Sequence, residues 1–306
     1  LYYNTTGTYN TAIGSSALYS NTTGYYNHAV GAFALYYNTT GTYNTAVGAS
    51  ALESNTTASN NTAVGYRAGF SNSTGTPNTF IGYQSGYNNT TGSYSNALGY
   101  RSLFNETTGE RHVAMGDRAL YSANGATNNV ALGFIAAYST TTGSYNTVIG
   151  SNALYNNTTG YNNTAIGYQA GYSNQTGTQN VFVGLAAGYS NTDSNNTFIG
   201  NYTGYSNTSG NSNVAVGGPA PGGAGYFTLY ANTTGNYNVA LGAAALKSNI
   251  SGSNNISIGM YSLANNTTAD YNVGVGYSTL GYNTTGTYNT AIGSSALYSN
   301  TTASYN

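Results

Sequence analysis

The sequence predicts an all-β chain: a parallel β-solenoid (β-roll) of about eighteen coils, each 17 residues long. Three observations lead there. An aliphatic residue followed by Gly recurs at steps of 17, as Ile13-Gly14, Val30-Gly31, Val47-Gly48 and onward to Ile292-Gly293. Between copies stands turn chemistry, Asn-Thr-Thr-Gly at Asn21–Gly24 and again at Asn38–Gly41. One copy is too short to bury its own apolar face, so copies must stack on each other, with coils roughly 4.8 Å apart.

With the aliphatic residue as position 0, each element of the copy has a reason. Position −3 is Asn in most copies (Asn10, Asn27, Asn44, Asn61), where stacked amides would hydrogen-bond the Asn above and below. Position −1 is usually Ala and becomes Phe at Phe80, Phe182 and Phe198. Position +4 is small (Ala17, Ala34, Ser85) and +5 is Leu or Gly (Leu18, Leu35, Gly69, Gly86). Position +6 is commonly aromatic (Tyr19, Tyr36, Phe70, Tyr87), which predicts a file of stacked rings. Gly beside β-branched and aromatic residues favours strands over helix.

Successive strand residues point to opposite faces. With the large aliphatic residue turned inward, the expected core ladder is Ile13, Val30, Val47, Val64, Ile81, Leu98, Ile149, Ile166, Val183, Ile199, Val216, Leu241, Ile258, Val275 and Ile292. Ala12 and Gly14 would then face outward as a flat strip that welcomes another chain, so association into a trimer or filament is expected. The period makes residues 1–306 one continuous array. Residues 1–23 and 280–302 differ only at Tyr2 and Gly281, as expected of an excerpt from a longer repetitive polypeptide. Two defects break the period. The coil containing Leu185–Asn196 is one residue short at its turn, and residues 218–225, with Pro219 and Pro221, are expected to bulge as an inserted loop.

Charged residues make up 4% of the chain, against about 25% in ordinary soluble proteins, and the net charge is −1. That excludes an electrostatic footprint for nucleic acid. No run of about 18 apolar residues offers a membrane-spanning helix, and no Cys is present for disulfides or thiolate metal sites. No cofactor or metal is expected. His28 and His112 lie about five coils apart, and Asp117, Asp193 and Asp270 are isolated, so neither a catalytic group nor a calcium turn is expected.

Two groups of residues remain as candidates. Arg101, Glu106, Glu110, Arg111, His112, Asp117 and Arg118 form the one charge cluster, expected as solvated ion pairs worth roughly 0–1 kcal/mol each, with a receptor- or glycan-binding patch as the other reading. The turn Asn begins Asn-x-Ser/Thr at Asn4, Asn21, Asn38, Asn55, Asn72, Asn89, Asn157, Asn174, Asn207, Asn232, Asn249, Asn266, Asn283 and Asn300. That is an N-glycosylation acceptor pattern, so covalent N-linked glycans are one expectation and plain turn chemistry the other.

Asn10-Thr11-Ala12-Ile13-Gly14, with the small Ala17 after it, resembles the head repeat of trimeric autotransporter adhesins and related repeats of phage and bacterial tail fibres. The resemblance covers essentially the whole chain, although the period of 17 is longer than the usual head repeat. It implies a left-handed parallel β-roll, three chains side by side, and an exported adhesive fibre. The expectation is therefore a non-catalytic extracellular or cell-surface structural fibre or adhesin shaft whose partners are its own copies and a cell-surface or glycan receptor. An ice-binding or carbohydrate-binding solenoid is the alternative.

Overall fold

The computed structural model describes residues 1–220 and 226–306. These are all-β, with seventeen strands of three residues and no helix. The chain divides into two compact units, Leu1–Ser151 and Asn152–Asn306. The first runs from β1 (Thr11–Ile13) to β9 (Thr147–Ile149) and the second from β10 (Thr164–Ile166) to β17 (Thr290–Ile292). Each is a parallel β-solenoid in which every strand pairs with the next copy of itself.

The register is position on position. Ile13 pairs with Val30, Val30 with Val47 and Val47 with Val64 in the first unit. Ile166 pairs with Val183 and Val275 with Ile292 in the second. Backbone bonds continue the ladder beyond the strands: Leu18 N–H donates to Ala34 O at 3.0 Å, Ser20 to Tyr36 O at 3.0 Å and Thr22 to Thr39 O at 2.9 Å. Most turn amides are thus satisfied by the neighbouring coil rather than by water. The corner after each strand requires Gly. Gly31 has a φ of +135°, and a Cβ there would lie 2.5 Å from the carbonyl oxygen of Gly48.

The interior differs from the expected one. The buried strand residue is position −1, as at Ala29, Ala46, Phe80, Ala114 and Ala215, packed with Ala at +4 (Ala34, Ala51) and Leu at +5 (Leu35, Leu52). The aliphatic residues expected as the core ladder face out. Val47 is 38% exposed and Val64 37%; Ile13, Val30, Leu98, Ile149, Ile199, Val216, Ile258 and Ile292 are exposed too, and Ile81, Ile166, Val183, Leu241 and Val275 only half-buried. Volume is the reason. In coils such as Ala29 with Leu35 and Ala46 with Leu52 the +5 Leu supplies the bulk and −1 stays small; where −1 grows to Val148, the +5 residue of the preceding coil shrinks to Ala137. Where Phe takes position −1, the Leu is gone. Gly69 and Gly86 flank Phe80, and a Cβ on Gly69 would sit 2.7 Å from Phe80 Cδ2. Gly171 and Gly188 flank Phe182, and Gly188 and Gly204 flank Phe198, in the same way.

The +6 rings do stack. Tyr19 and Tyr36 lie 5.1 Å apart with planes 3° from parallel, and the run Phe70, Tyr87, Phe104, Tyr121, Tyr138 continues at 5.1 to 5.2 Å. In the second unit Tyr155, Tyr172, Tyr189 and Tyr205 do likewise at 5.0 to 5.3 Å.

Both period defects are absorbed outside the strands, since Val183 still pairs with Ile199 and Val216 with Leu241. In the short coil the Asp193 carbonyl takes the place of the turn Gly carbonyl, accepting from Asn180 Nδ2 at 2.9 Å and Asn191 Nδ2 at 2.6 Å. Of the inserted segment, residues 221–225 lie outside the described residues; Ala220 N–H donates to Tyr226 O at 2.9 Å across its base.

Candidate functional site

A three-residue strand with its centre turned inward must turn both ends outward. Positions −2 and 0 therefore share one exposed sheet face. In the first unit this face carries Thr45-Val47, Thr62-Val64 and Thr79-Ile81, then becomes wholly apolar at Val113-Met115 and Val130-Leu132. A shallow depression of about 310 Å³ lies on it, walled by Ile81, Leu98, Val113 and Met115. In the second unit Val214-Val216, Val239-Leu241, Ile256-Ile258 and Val273-Val275 follow one another, with Val214 38% and Val216 37% exposed. Contiguous exposed apolar surface of this kind is uncommon on a monomeric soluble protein, which makes this face the candidate site. Ala12, expected to face outward, is instead the strand centre, and the residues turned outward are those on either side of it, Thr11 and Ile13.

The sequon asparagines are inside. Asn21, Asn38, Asn55, Asn72, Asn89, Asn157, Asn174, Asn207, Asn232, Asn249, Asn266 and Asn283 are fully buried, and only Asn4 and Asn300 are half-exposed. Asn38 Nδ2, the atom a glycan would take, donates to Asn21 Oδ1 at 2.8 Å and to Gly41 O at 3.1 Å. Gly41 O also accepts from Asn27 Nδ2 at 2.8 Å, so the two Asn files clamp each turn between them. Asn27 Oδ1 in turn accepts from the Asn44 backbone N–H at 3.0 Å. An amide spent on two buried bonds has neither the exposure nor the hydrogens to carry sugar in the folded stack, which corrects the expectation of a glycan coat at the twelve buried positions.

The charge cluster separates into two. Arg101 and Arg118 lie over aromatic rings at the surface: Arg101 is 5.3 Å from the Tyr100 centroid and 5.2 Å from that of Phe104, and Arg118 is 5.4 Å from Tyr100. Arg111 pairs with Glu110 at 3.2 Å in solvent, and Asp117 lies 3.7 Å from Arg118. Glu106 and His112, expected among the solvated ions, are instead fully buried. Each occupies an Asn position, Glu106 in the turn file and His112 in the −3 file. Glu106 Oε1 accepts N–H bonds from Thr107 at 2.9 Å, Gly109 at 2.6 Å and Gly125 at 2.7 Å. Burial pushes the Glu106 carboxyl up, but the His112 contact and the Gly125 and Gly109 donors outweigh it and leave the group below its ordinary value.

His28 stands exposed on the sheet face while His112 is enclosed, so the two histidines are not brought together. Among the described residues no group of three His, Asp or Glu side chains is placed to hold a metal ion, and no helix is long and apolar enough to cross a membrane. No protein-family model matches the sequence, and no curated protein matches it.

Proposed function

We propose that the chain is a non-catalytic structural segment of an extracellular fibre or adhesin shaft, and that copies of it associate through the outward face formed by positions −2 and 0. The single observation carrying this reading is the exposed aliphatic file running through Val47, Val64, Leu98 and Met115 and again through Val216 and Ile258. A face that repeats once per coil is best matched by a partner with the same pitch, and another copy of the chain has it. The near-absence of charge favours the same partner, since nothing on the file has to be neutralised. The resemblance to adhesin heads and tail fibres agrees with this arrangement. Negative-stain images of the purified chain test it: laterally joined particles or bundles are expected, and isolated single-chain particles at micromolar concentration would overturn it.

Ice binding is a second reading, favoured by Thr45, Thr62 and Thr79 standing on the same flat face as Val47, Val64 and Ile81. Thermal hysteresis with shaped ice crystals would replace the fibre reading; ordinary freezing would remove the alternative.

A further inference from the structure

The +6 ring file of the second unit is interrupted. After Tyr230 the successive occupants are Lys247, Ala264, Gly281 and then Tyr298. Three successive rungs carry no ring, the last two no side chain larger than a methyl group, and an open slot of about 370 Å³ stands there. Its walls are Tyr226, Tyr261, Tyr277, Tyr282 and Tyr298, with Lys247 at one end. The volume falls within the range of small-ligand sites.

The nearly identical first copy displays what the slot lacks. There Tyr2 stacks on Tyr19 at 5.1 Å and 11°, with Tyr3 edge-on to both rings at 4.9 and 5.2 Å. In the later copy Tyr282 is edge-on to Tyr298 at 4.9 Å and 77°, as Tyr3 is to Tyr19, but the third ring is replaced by Gly281. The one difference between two 23-residue segments is thus the residue whose side chain would fill the slot. Asn265 Nδ2 donates to Gly281 O at 2.6 Å and fixes the floor.

We propose that this slot binds one ring of an acidic sugar, with its carboxylate at Lys247 and its ring among the tyrosines. Tyr226 meets Tyr261 at 85° and Tyr261 meets Tyr277 at 86°, so the walls offer ring faces in one direction and ring edges in another. That suits a saccharide, which has apolar C–H faces and a girdle of hydroxyls, better than a flat aromatic ligand. Lys247 Nζ lies 5.1 Å from the Tyr226 centroid and 3.1 Å from Ser248 Oγ. Among the described residues no carboxylate pairs with it, and burial holds its ammonium below the usual value.

Saturation-transfer NMR and calorimetry on the whole chain test the site, with digalacturonate as the acidic probe, neutral digalactose as control and 4-hydroxyphenylacetate as an aromatic acid. Digalacturonate is expected to bind saturably and at least about tenfold more tightly than either of the others. Gly281→Tyr, which installs the residue its own first copy carries, is expected to abolish binding with the fold retained, its Cβ 3.0 Å from Tyr298 Cε2 displacing that ring by a few tenths of an ångström. Lys247→Gln is expected to erase the preference for the acid. Binding that survives Gly281→Tyr, equal binding of the neutral sugar, tighter binding of the aromatic acid, or no saturable binding would each overturn the assignment.

Discussion

Glu106 and His112 come from two different asparagine files and meet inside the same coil corner, Oε2 to Nε2 at 3.5 Å, both fully buried. His112 Nε2 is also 3.0 Å from Ala126 O, which can only accept, so Nε2 carries the hydrogen. The exchange leaves marks on its neighbours. Asn89 Oδ1, which would take an Nδ2 hydrogen from an Asn at 106, has no partner, and neither does His112 Nδ1.

Removing one member should therefore cost far more than removing both. Glu106→Ala is expected to destabilise the first unit by about 3–5 kcal/mol, the cost of orphaning a buried partner. The double replacement Glu106→Asn with His112→Asn restores both files and should leave stability within about 1 kcal/mol of the parent or above it. Denaturant midpoints, with amide exchange at Gly109 and Gly125 as local reporters, measure both.

The same carboxyl sets an acid limb. Its pKa in the folded chain is lower than in the unfolded chain, so its stabilisation is complete above the ordinary Glu value of about 4.3 and is lost as pH falls through the lower folded value. Melting temperature followed from pH 6 to pH 2 should drop for the parent across that window. Glu106→Gln should be flatter there; an identical acid limb in both would contradict the role given to Glu106.

Phe80 and Gly86 are expected to behave as one unit of volume. Gly86→Leu alone should cost about 1–3 kcal/mol by overpacking against the Phe80 ring. Phe80→Ala alone should cost about 3–5 kcal/mol through the cavity it leaves. Combining them rebuilds the Ala-and-Leu pair of coils such as Ala46 with Leu52 and should recover most of both losses. Leu tolerates the backbone there, because Leu35 and Leu52 hold φ values of 51° and 49° against 58° at Gly86. Strictly additive losses in chemical denaturation would contradict the shared volume.

Asn38→Asp tests whether the sequon residues are structural. It removes the Nδ2 donor to Asn21 Oδ1 and Gly41 O and sets a carboxylate against two oxygen acceptors. A loss of more than about 2 kcal/mol is expected, whereas a residue on a solvated turn would change stability by less than about 0.5 kcal/mol.

The coil period, the strand positions, the ring file and the in-register stacking were all legible in the sequence, because each depends only on like residues recurring at one interval. The inside and outside of the strand were not. Ala12 and Ile13 differ by hydrophobic size, and size alone points Ile13 inward; the large interior side chain is instead supplied from +5, by Leu18 in that coil. A signal was present in the covariation of positions −1 and +5, where Phe80, Phe182 and Phe198 appear beside Gly69, Gly86, Gly171, Gly188 and Gly204. Two positions that trade volume must share a space, so −1 had to be the inward one. The turn asparagines misled for a related reason: Asn-Thr-Thr is a glycan acceptor and a buried amide ladder in the same letters, and only the direction of the side chain separates them.

Sedimentation velocity on the parent and on Val47→Lys with Val64→Lys tests the central claim most directly, since both side chains lie on the outward face and leave the coil interior untouched. The outward file predicts a parent that sediments as an oligomer of the 31.5 kDa chain and a doubly substituted chain that sediments as a folded monomer. A parent that stays monomeric, or an oligomer indifferent to the two lysines, would contradict it.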